Sequence, residues 1–485
     1  MGSQYHLPRW RPGFSMVFRD FAIRFDVYFY RYDAHSTQPV IDFSVFSEPQ
    51  RFGKYSPSIG MTHKYNKHIH KNKTRKNAPT GWIHITISGT PYDRGYQHGK
   101  RLAHLFPRIK PILAFIIKEE LDISYKNYEK TTTKVVKPQI KRLYPECFEE
   151  MRGIAKGSNT SIDFIIAWNS ILSMYSYYKQ ARIPQRCSAF IACGQYTKNG
   201  DIVMAHNTHS DYATAPLGNI ILTIVPEKGH TIKMQTYPGF IASGTDWFLT
   251  TAGIMGCETT ISKTNYVAKF GAPYFCRIRH AMQYANTLDE YTQSLLHNNA
   301  GDYACSWLLG NTHNNTIMLC EIGLNYQHIE QTNDGVYYGA NSVMDPAFRA
   351  AETTDQSHED LETSPGARTM RLQALLEDHY RGKIDLTTAK AILSDHYDVY
   401  TSTPNSANAR TICKHGETAE SPKPYGCSDG KVVDSSMAKK MEFWARAGSS
   451  CGRKFDAKRF IRENPKYAHW EKVLVDIKSY RWIRC

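Results

Sequence analysis

Cys187 opens a β-type stretch, CSAFIACG, directly after a largely polar segment at 179–186, and the next such stretch carries His206, Asn207, His209 and Asp211. A thiol beside groups that can take its proton is a candidate nucleophile toward an acyl carbonyl, because the thiolate is the reactive form. A thiol at the start of a strand also reads as core packing, and a strand histidine as a hydrogen-bonded core residue, so the two readings stand side by side. Other catalytic signatures are missing: there is no GxSxG elbow, no GxxxxGKS/T loop, no HExxH helix and no GxGxxG between a strand and a helix. Phosphate-cradling and zinc-peptidase chemistry are thereby set aside. The 11 cysteines are irregularly spaced and contain no CxxC pair, so no metal and no cofactor are expected. Most of these cysteines read as buried thiols of a reducing compartment.

The elements that must hold Cys187 can be read from local patterning. Two β-rich runs flank Lys198-Asn199-Gly200, and Asn-Gly is a strong hairpin signal, so the Cys187 strand is expected to face the His206 strand. Upstream, GWIHITISG alternates like a strand and enters a long helix after a Thr/Pro start. A second helical region at 144–178 breaks at 157–159 and restarts at a Ser161 cap. Downstream, strands are expected at 219–225, 230–236, 247–251, 307–309, 316–322 and 335–339, with helices at 274–285, 287–296, 367–379 and 387–394. The pattern predicts an α+β fold with two sheets and helices outside them, without a regular βαβ alternation.

Composition bounds the rest. The chain has 485 residues, 41% hydrophobic and 22% charged, enough for a large core. Lysine and arginine total 60 against 45 acids, a net charge of +15 that favours anionic partners. Part of that excess lies in an acid-free run, HKYNKHIHKNKTRKN at 63–77. Residues 1–80 read as a basic extension and linker, either a solvated connector or an arm that binds an anionic surface or nucleic acid through 61–77. No apolar stretch approaches the roughly 18 residues of a membrane span. The first thirty residues are charged throughout, unlike a signal peptide, so a cytoplasmic or particle-packaged protein is expected and the sequons at Asn72, Asn159 and Asn314 read as chance matches.

Nine segments in order resemble one family: GTPYDRGYQHG (89–99), YPECFEEMRGIAKG (144–157), RCSAF (186–190), GDIVMAHNTHSDY (200–212), YPGFIASGTDWF (237–248), TAGIMGCETTI (251–261), SWLLGN (306–311), SPGARTMRLQALL (364–376) and SDGKVVDSSMAK (428–439). They are similar to the phospholipase B-like proteins and the related acyl-coenzyme A:6-aminopenicillanate acyltransferases, both cysteine N-terminal-nucleophile hydrolases. The resemblance implies a four-layer αββα sandwich at 187–485 with a divergent C-terminal tail. It also implies a mainly helical, propeptide-like segment at 81–186 that stays associated after the chain cuts itself at Arg186-Cys187.

A freed α-amino group with a pKa of about 7.7–8.0 could then take the thiol proton. By the same resemblance, Cys187, His206 and Asn341 form the catalytic set, with Asn341 as an oxyanion donor. Asn207, His209, Glu258, Thr259 and Arg368 support it. Asn341 reads equally as a turn cap beside Ser342, and Arg368 as a helix-surface ion-pair partner. The implied activity is cleavage of an amide or ester in an acylated small molecule or lipid. Acyl transfer from acyl-coenzyme A, or an inactive structural protein that binds anions, are the alternatives.

Overall fold

The computed structural model describes residues 79–178, 186–269 and 271–485, together with a two-residue strand pair, Pro12–Gly13 against Tyr28–Phe29. The basic run at 61–77 and the Asn72 sequon lie outside the described residues, as does nearly all of the 1–80 extension. Residues Asn77–Cys485 make one compact unit.

Among the described residues, fourteen strands of that unit form two sheets. In chain order they are β1 (Ile83–Gly89), β2 (Cys187–Gly194), β3 (Gly200–Asp211), β4 (Ile220–Pro226), β5 (Ile232–Thr236), β6 (Trp247–Thr250), β7 (Ile254–Thr260), β8 (Cys305–Asn311), β9 (Thr316–Ile322), β10 (Gln327–Thr332), β11 (Gly335–Gly339), β12 (Tyr425–Asp434), β13 (Trp444–Ala447) and β14 (Ile483–Arg484). One sheet has the order β10-β9-β8-β7-β6-β5-β4-β1, and the other β11-β2-β3-β12-β13-β14. The main helices are α1 (Pro91–Leu102), α2 (Phe106–Leu121), α3 (Tyr125–Leu143), α4 (Pro145–Ser158), α5 (Ile162–Asn169), α6 (Ile171–Tyr175), α7 (Tyr274–Tyr284), α8 (Leu288–Leu296), α9 (Pro346–Glu352), α10 (Ser364–Gln373) and α11 (Leu386–Leu393).

Three apolar clusters separate four layers. Ile109, Leu113, Met151 and Ile278 of the helices pack on Ile87, Leu222 and Leu309 of the larger sheet. Ile191, Met204, Trp247, Cys257 and Val433 fill the space between the sheets. Phe190, Val203 and Val432 of the smaller sheet pack under Leu372, Leu376, Ile392 and Leu393. The order is helices, sheet, sheet, helices, as expected for an αββα sandwich.

Local signals act where they were expected. Thr90 caps α1 by accepting from the Asp93 N–H at 3.2 Å, with Pro91 in the first turn. Ser161 caps α5 by accepting from the Phe164 N–H at 3.0 Å. Gly200 carries the positive φ of the β2–β3 turn. The single long helix expected after Thr90 is two, α1 and α2, joined by a 3₁₀ turn at Ala103–Leu105. The helix expected at 367–379 starts at Ser364 and changes to π-helix at Ala374–His379.

Residues 81–178 are woven into the unit. Their strand β1 pairs in parallel with β4 at the sheet edge, and α1 meets α4 through facing glycines. A Cβ at Gly95 would sit 1.9 Å from the Glu150 carbonyl oxygen, and one at Gly153 would sit 2.1 Å from that of Tyr92. Only glycine permits so close a crossing. It brings Arg94 Nη2 within 2.9 Å of Glu150, which also accepts from Arg279 at 3.1 Å.

Candidate active site

Cys187 is the first residue of β2 and stands opposite Thr208 of β3, with Ser188 opposite Asn207 and Ala189 opposite His206. Side chains alternate between the two faces of a strand, so this register sorts the polar residues. Ala189, Ile191 and Met204 lie between the sheets, whereas Phe190, Val203 and Ala205 face the outer helices. Cys187 and His206 therefore share the inter-sheet face, and Asn207 and His209 point the other way. Asn207 Nδ2 donates to the Leu393 and Ile412 carbonyls at 2.7 and 3.2 Å, and His209 Nε2 lies 3.2 Å from the Ile412 oxygen. Both residues tie β3 to the outer layer; the thiol is on the opposite face.

The peptide unit at Arg186-Cys187 is held from both sides. The His209 backbone N–H donates to the Arg186 carbonyl. The Cys187 N–H donates to Asn341 Oδ1 at 3.3 Å. Asn341 follows β11 with a φ of 76°, a left-handed conformation that asparagine tolerates better than most residues. Its Nδ2 donates to the Thr260 carbonyl at 2.9 Å. Asn341 thus offers its oxygen, not its N–H, to the Cys187 backbone.

Arg368, on α10, is fully buried and not on the helix surface. Its guanidinium donates to the Cys187 carbonyl at 2.6 Å, Ser188 Oγ at 3.0 Å, the Ala340 carbonyl at 3.0 Å and Asn341 Oδ1 at 2.9 Å. Burial lowers its pKa to about 10, so it remains charged at neutral pH. The cation locks the start of β2 to the end of β11.

One ring nitrogen of His206, the Cys187 sulfur and a carboxylate oxygen of Asp246 lie within 4.8 Å of one another. His206 Nε2 is 3.0 Å from the Glu258 carbonyl oxygen, just past the last rung of the β6–β7 ladder, Trp247 opposite Cys257. That contact makes Nε2 the protonated nitrogen. Nδ1 keeps its lone pair, is buried and has no hydrogen-bond partner among the described residues. Burial and then Lys431 hold the ring well below the usual histidine range, so it is neutral. Burial pushes the Cys187 thiol well up, and Asp246 and Glu258 add to the effect. The resting pair is a neutral thiol beside a neutral imidazole, with the thiol sealed from solvent.

The Glu258 side chain points to the other face of its sheet, where Tyr303 donates to it at 2.7 Å. Burial, and then Asp246, raise its pKa, and burial raises that of Asp246. Glu258 Oε2 is buried and has no hydrogen-bond donor among the described residues, in keeping with a carboxyl held towards its neutral form beside Asp246. Thr259 faces the inter-sheet side, where a Cβ on Gly339 would come within 2.4 Å of its Oγ1, so it packs against the end of β11.

Two contributors escaped sequence reasoning. Asp246 enters the site from a left-handed residue (φ 58°) before β6, inside the quoted YPGFIASGTDWF segment but with no spacing to mark it. Lys431 lies directly across from His206 in the β3–β12 ladder and is fully buried. Its Nζ reaches Thr208 Oγ1 at 2.7 Å, Gln235 Oε1 at 2.6 Å and Asp429 Oδ1 at 2.7 Å. A lone lysine in SDGKVVDSS reads as a surface residue until β12 is placed beside β3.

Sequence comparison agrees with the family read from the motifs. Residues 119–318 match the Phospholipase B family. An uncharacterized protein of Archaeoglobus fulgidus is 24% identical over 252 residues, covering 45% of this chain and 41% of that protein. The 40 kDa form of acyl-coenzyme A:6-aminopenicillanic-acid-acyltransferase of Emericella nidulans is 28% identical over 160 residues, covering 33% and 42%. The chain thus spans about two fifths of the length of these curated relatives. A variant of the conjugated bile acid hydrolase of Clostridium perfringens aligns in structure with a TM-score of 0.32 and 9% identity, covering 54% of this chain and 89% of that one. In sequence this chain is therefore similar to the phospholipase B family across its centre, and distantly homologous to the 6-aminopenicillanic-acid acyltransferase.

Proposed function

We propose that this chain is the precursor of an acyl-bond hydrolase that cuts itself between Arg186 and Cys187. Cys187 Sγ attacks the Arg186 carbonyl carbon, and the Cys187 nitrogen leaves that carbon with the thiol proton, which makes a thioester. Water then hydrolyses the thioester and frees the upstream chain. His206, whose Nδ1 keeps a free lone pair, relays the proton in this reading. In the mature protein the new α-amine of Cys187, beside Asn341 Oδ1, is the base, and the thiol attacks the amide or ester of an N-acylated or lipid-like substrate. The carrying observation is the clamped Arg186-Cys187 peptide, with His209 N–H on its oxygen, Asn341 on its nitrogen, and thiol and lone-pair imidazole alongside. Backbone donors on a scissile carbonyl stabilise the developing oxyanion.

Intact mass and N-terminal sequencing of purified protein test the reading. A fragment that begins at Cys187, absent from Cys187→Ala, is expected; a chain that stays single under maturing conditions overturns it. The similarity to an acyltransferase supports a second outcome at the same site, in which an amine and not water resolves the thioester. Product analysis with and without an amine acceptor separates the two.

A further inference from the structure

A second group of sulfur and nitrogen ligands lies away from Cys187. His396, Cys413, His415 and Cys451 each offer one ligand atom, and all four atoms lie within 4.8 Å of one another. His415 Nε2 is 3.5 Å from Cys413 Sγ and 3.4 Å from Cys451 Sγ. Zinc bonds of about 2.3 Å to sulfur and about 2.0 Å to nitrogen, at the tetrahedral angle, separate S and N by about 3.5 Å. We propose that these four side chains form a structural site for a divalent cation of the zinc class, with a tetrahedral two-thiolate, two-imidazole ligand set.

Three features around the cluster support this. His396 Nε2 is buried and has no hydrogen-bond partner among the described residues, and a metal bond would supply one. The rings of His396 and His415 stand 5.1 Å apart at 67°, so both edges can turn to one centre. His415 Nδ1 is 2.8 Å from Glu417 Oε1, and the other Glu417 oxygen accepts from Tyr212 at 2.7 Å. A carboxylate on the far nitrogen of a histidine fixes its tautomer and aims Nε2 at a metal. All 11 cysteines are free thiols. The four ligands are saturating, so the ion would have no open position for catalysis.

The ion would cross-link two irregular stretches, the segment between α11 and β12 and the turn after β13. The first includes Ile412, next to Cys413, whose carbonyl accepts from Asn207 and faces His209 on β3. Ser450, next to Cys451, has its Oγ 3.3 Å from Cys413 Sγ and donates to the Leu393 carbonyl at 2.7 Å. Metal binding would thus stiffen the layer that supports the outer face of the nucleophile hairpin.

The test uses the full chain purified without chelators. Elemental analysis should find about one zinc per chain. Cobalt(II) exchanged into the site should give the visible bands of a tetrahedral ion and a thiolate charge-transfer band. Cys451→Ser and His396→Ala should each lower zinc content several-fold, while Cys187→Ala keeps it. If those variants do not fold, wild-type protein still decides: a chelator should expose two further thiols to a thiol reagent and lower the melting temperature, and added zinc should reverse both. Wild-type protein that holds no zinc or cobalt, a charge-transfer band that survives Cys451→Ser, or a Cys413–Cys451 disulfide found by mass would overturn the site.

Discussion

Around Cys187 a single thiol meets one imidazole and one carboxyl, and each neighbour is already engaged: His206 Nε2 with a backbone carbonyl, Asp246 with Glu258. Around Cys413 two thiols and two imidazoles converge, and a carboxylate stands behind one ring. Both clusters draw on the same residue types. The difference lies in what is left over: at Cys187 a lone pair and a clamped peptide bond, suited to moving a proton and breaking a bond; at Cys413 a full ligand shell, suited to holding an ion. Residue type alone does not separate catalysis from scaffold; the uncommitted atoms do.

The sharpest way to break this contrast is to remove each sulfur in turn. Cys187→Ala is expected to abolish self-cleavage and acyl hydrolysis, by roughly 10⁴-fold or more, with zinc content unchanged. Gel analysis and hydrolysis of N-acyl and ester substrates read this out, and retained activity would sink the assignment. Next in size is the comparison of two histidines on one strand. His206→Ala should slow processing by roughly 10²–10⁴-fold. His209→Ala, on the other face and with its backbone N–H intact, should leave the cleavage rate within a few-fold and cost about 1–3 kcal/mol of stability. Equal rate losses in the two variants would erase the distinction between the faces.

Arg368→Leu removes donors from buried oxygens on Cys187, Ser188, Ala340 and Asn341. A loss of about 3 kcal/mol in urea unfolding is expected, together with failed processing; an unchanged midpoint would show that the clamp is dispensable. The pH profile of mature enzyme should rise through about pH 7.7–8.0 with the α-amine. It should lack a limb near the ordinary histidine pKa, since burial keeps His206 neutral.

The smallest effect concerns His98, whose Nε2 accepts from the Gly239 N–H at 2.9 Å and whose pKa burial lowers from 6.5 to about 4. Below pH 6.5 the unfolded chain takes up a proton that the folded chain refuses, so this contribution, complete above 6.5, is lost as pH falls through about 4. The melting temperature should drop across that window, less steeply in His98→Gln.

Much of the scaffold was legible in local chemistry. The Asn-Gly turn, the Ser161 and Thr90 caps and the strands at Thr316–Ile322 and Gly335–Gly339 follow from dihedral preference and periodicity, which act over a few residues. The joint between α1 and α2 was missed because apolar spacing continues through it. The ordered motifs picked out Cys187, and Asn341 and Arg368 were found to meet it. Asp246 and Lys431 carried no signal, because each arrives through a different pairing partner.

By itself the sequence determined most of the strands before β12, the Thr90 and Ser161 caps, the Asn-Gly turn, the family resemblance and the thiol at the head of β2. Which face of β3 each polar residue takes depends on register, since a shift of one residue reverses every side chain. That register sends His206 to the thiol and Asn207 and His209 to the outer layer. The four ligands from His396 to Cys451 come from irregular segments, so no period could announce them. Only the packing of those segments against β12 and α11 sets their atoms a few ångströms apart.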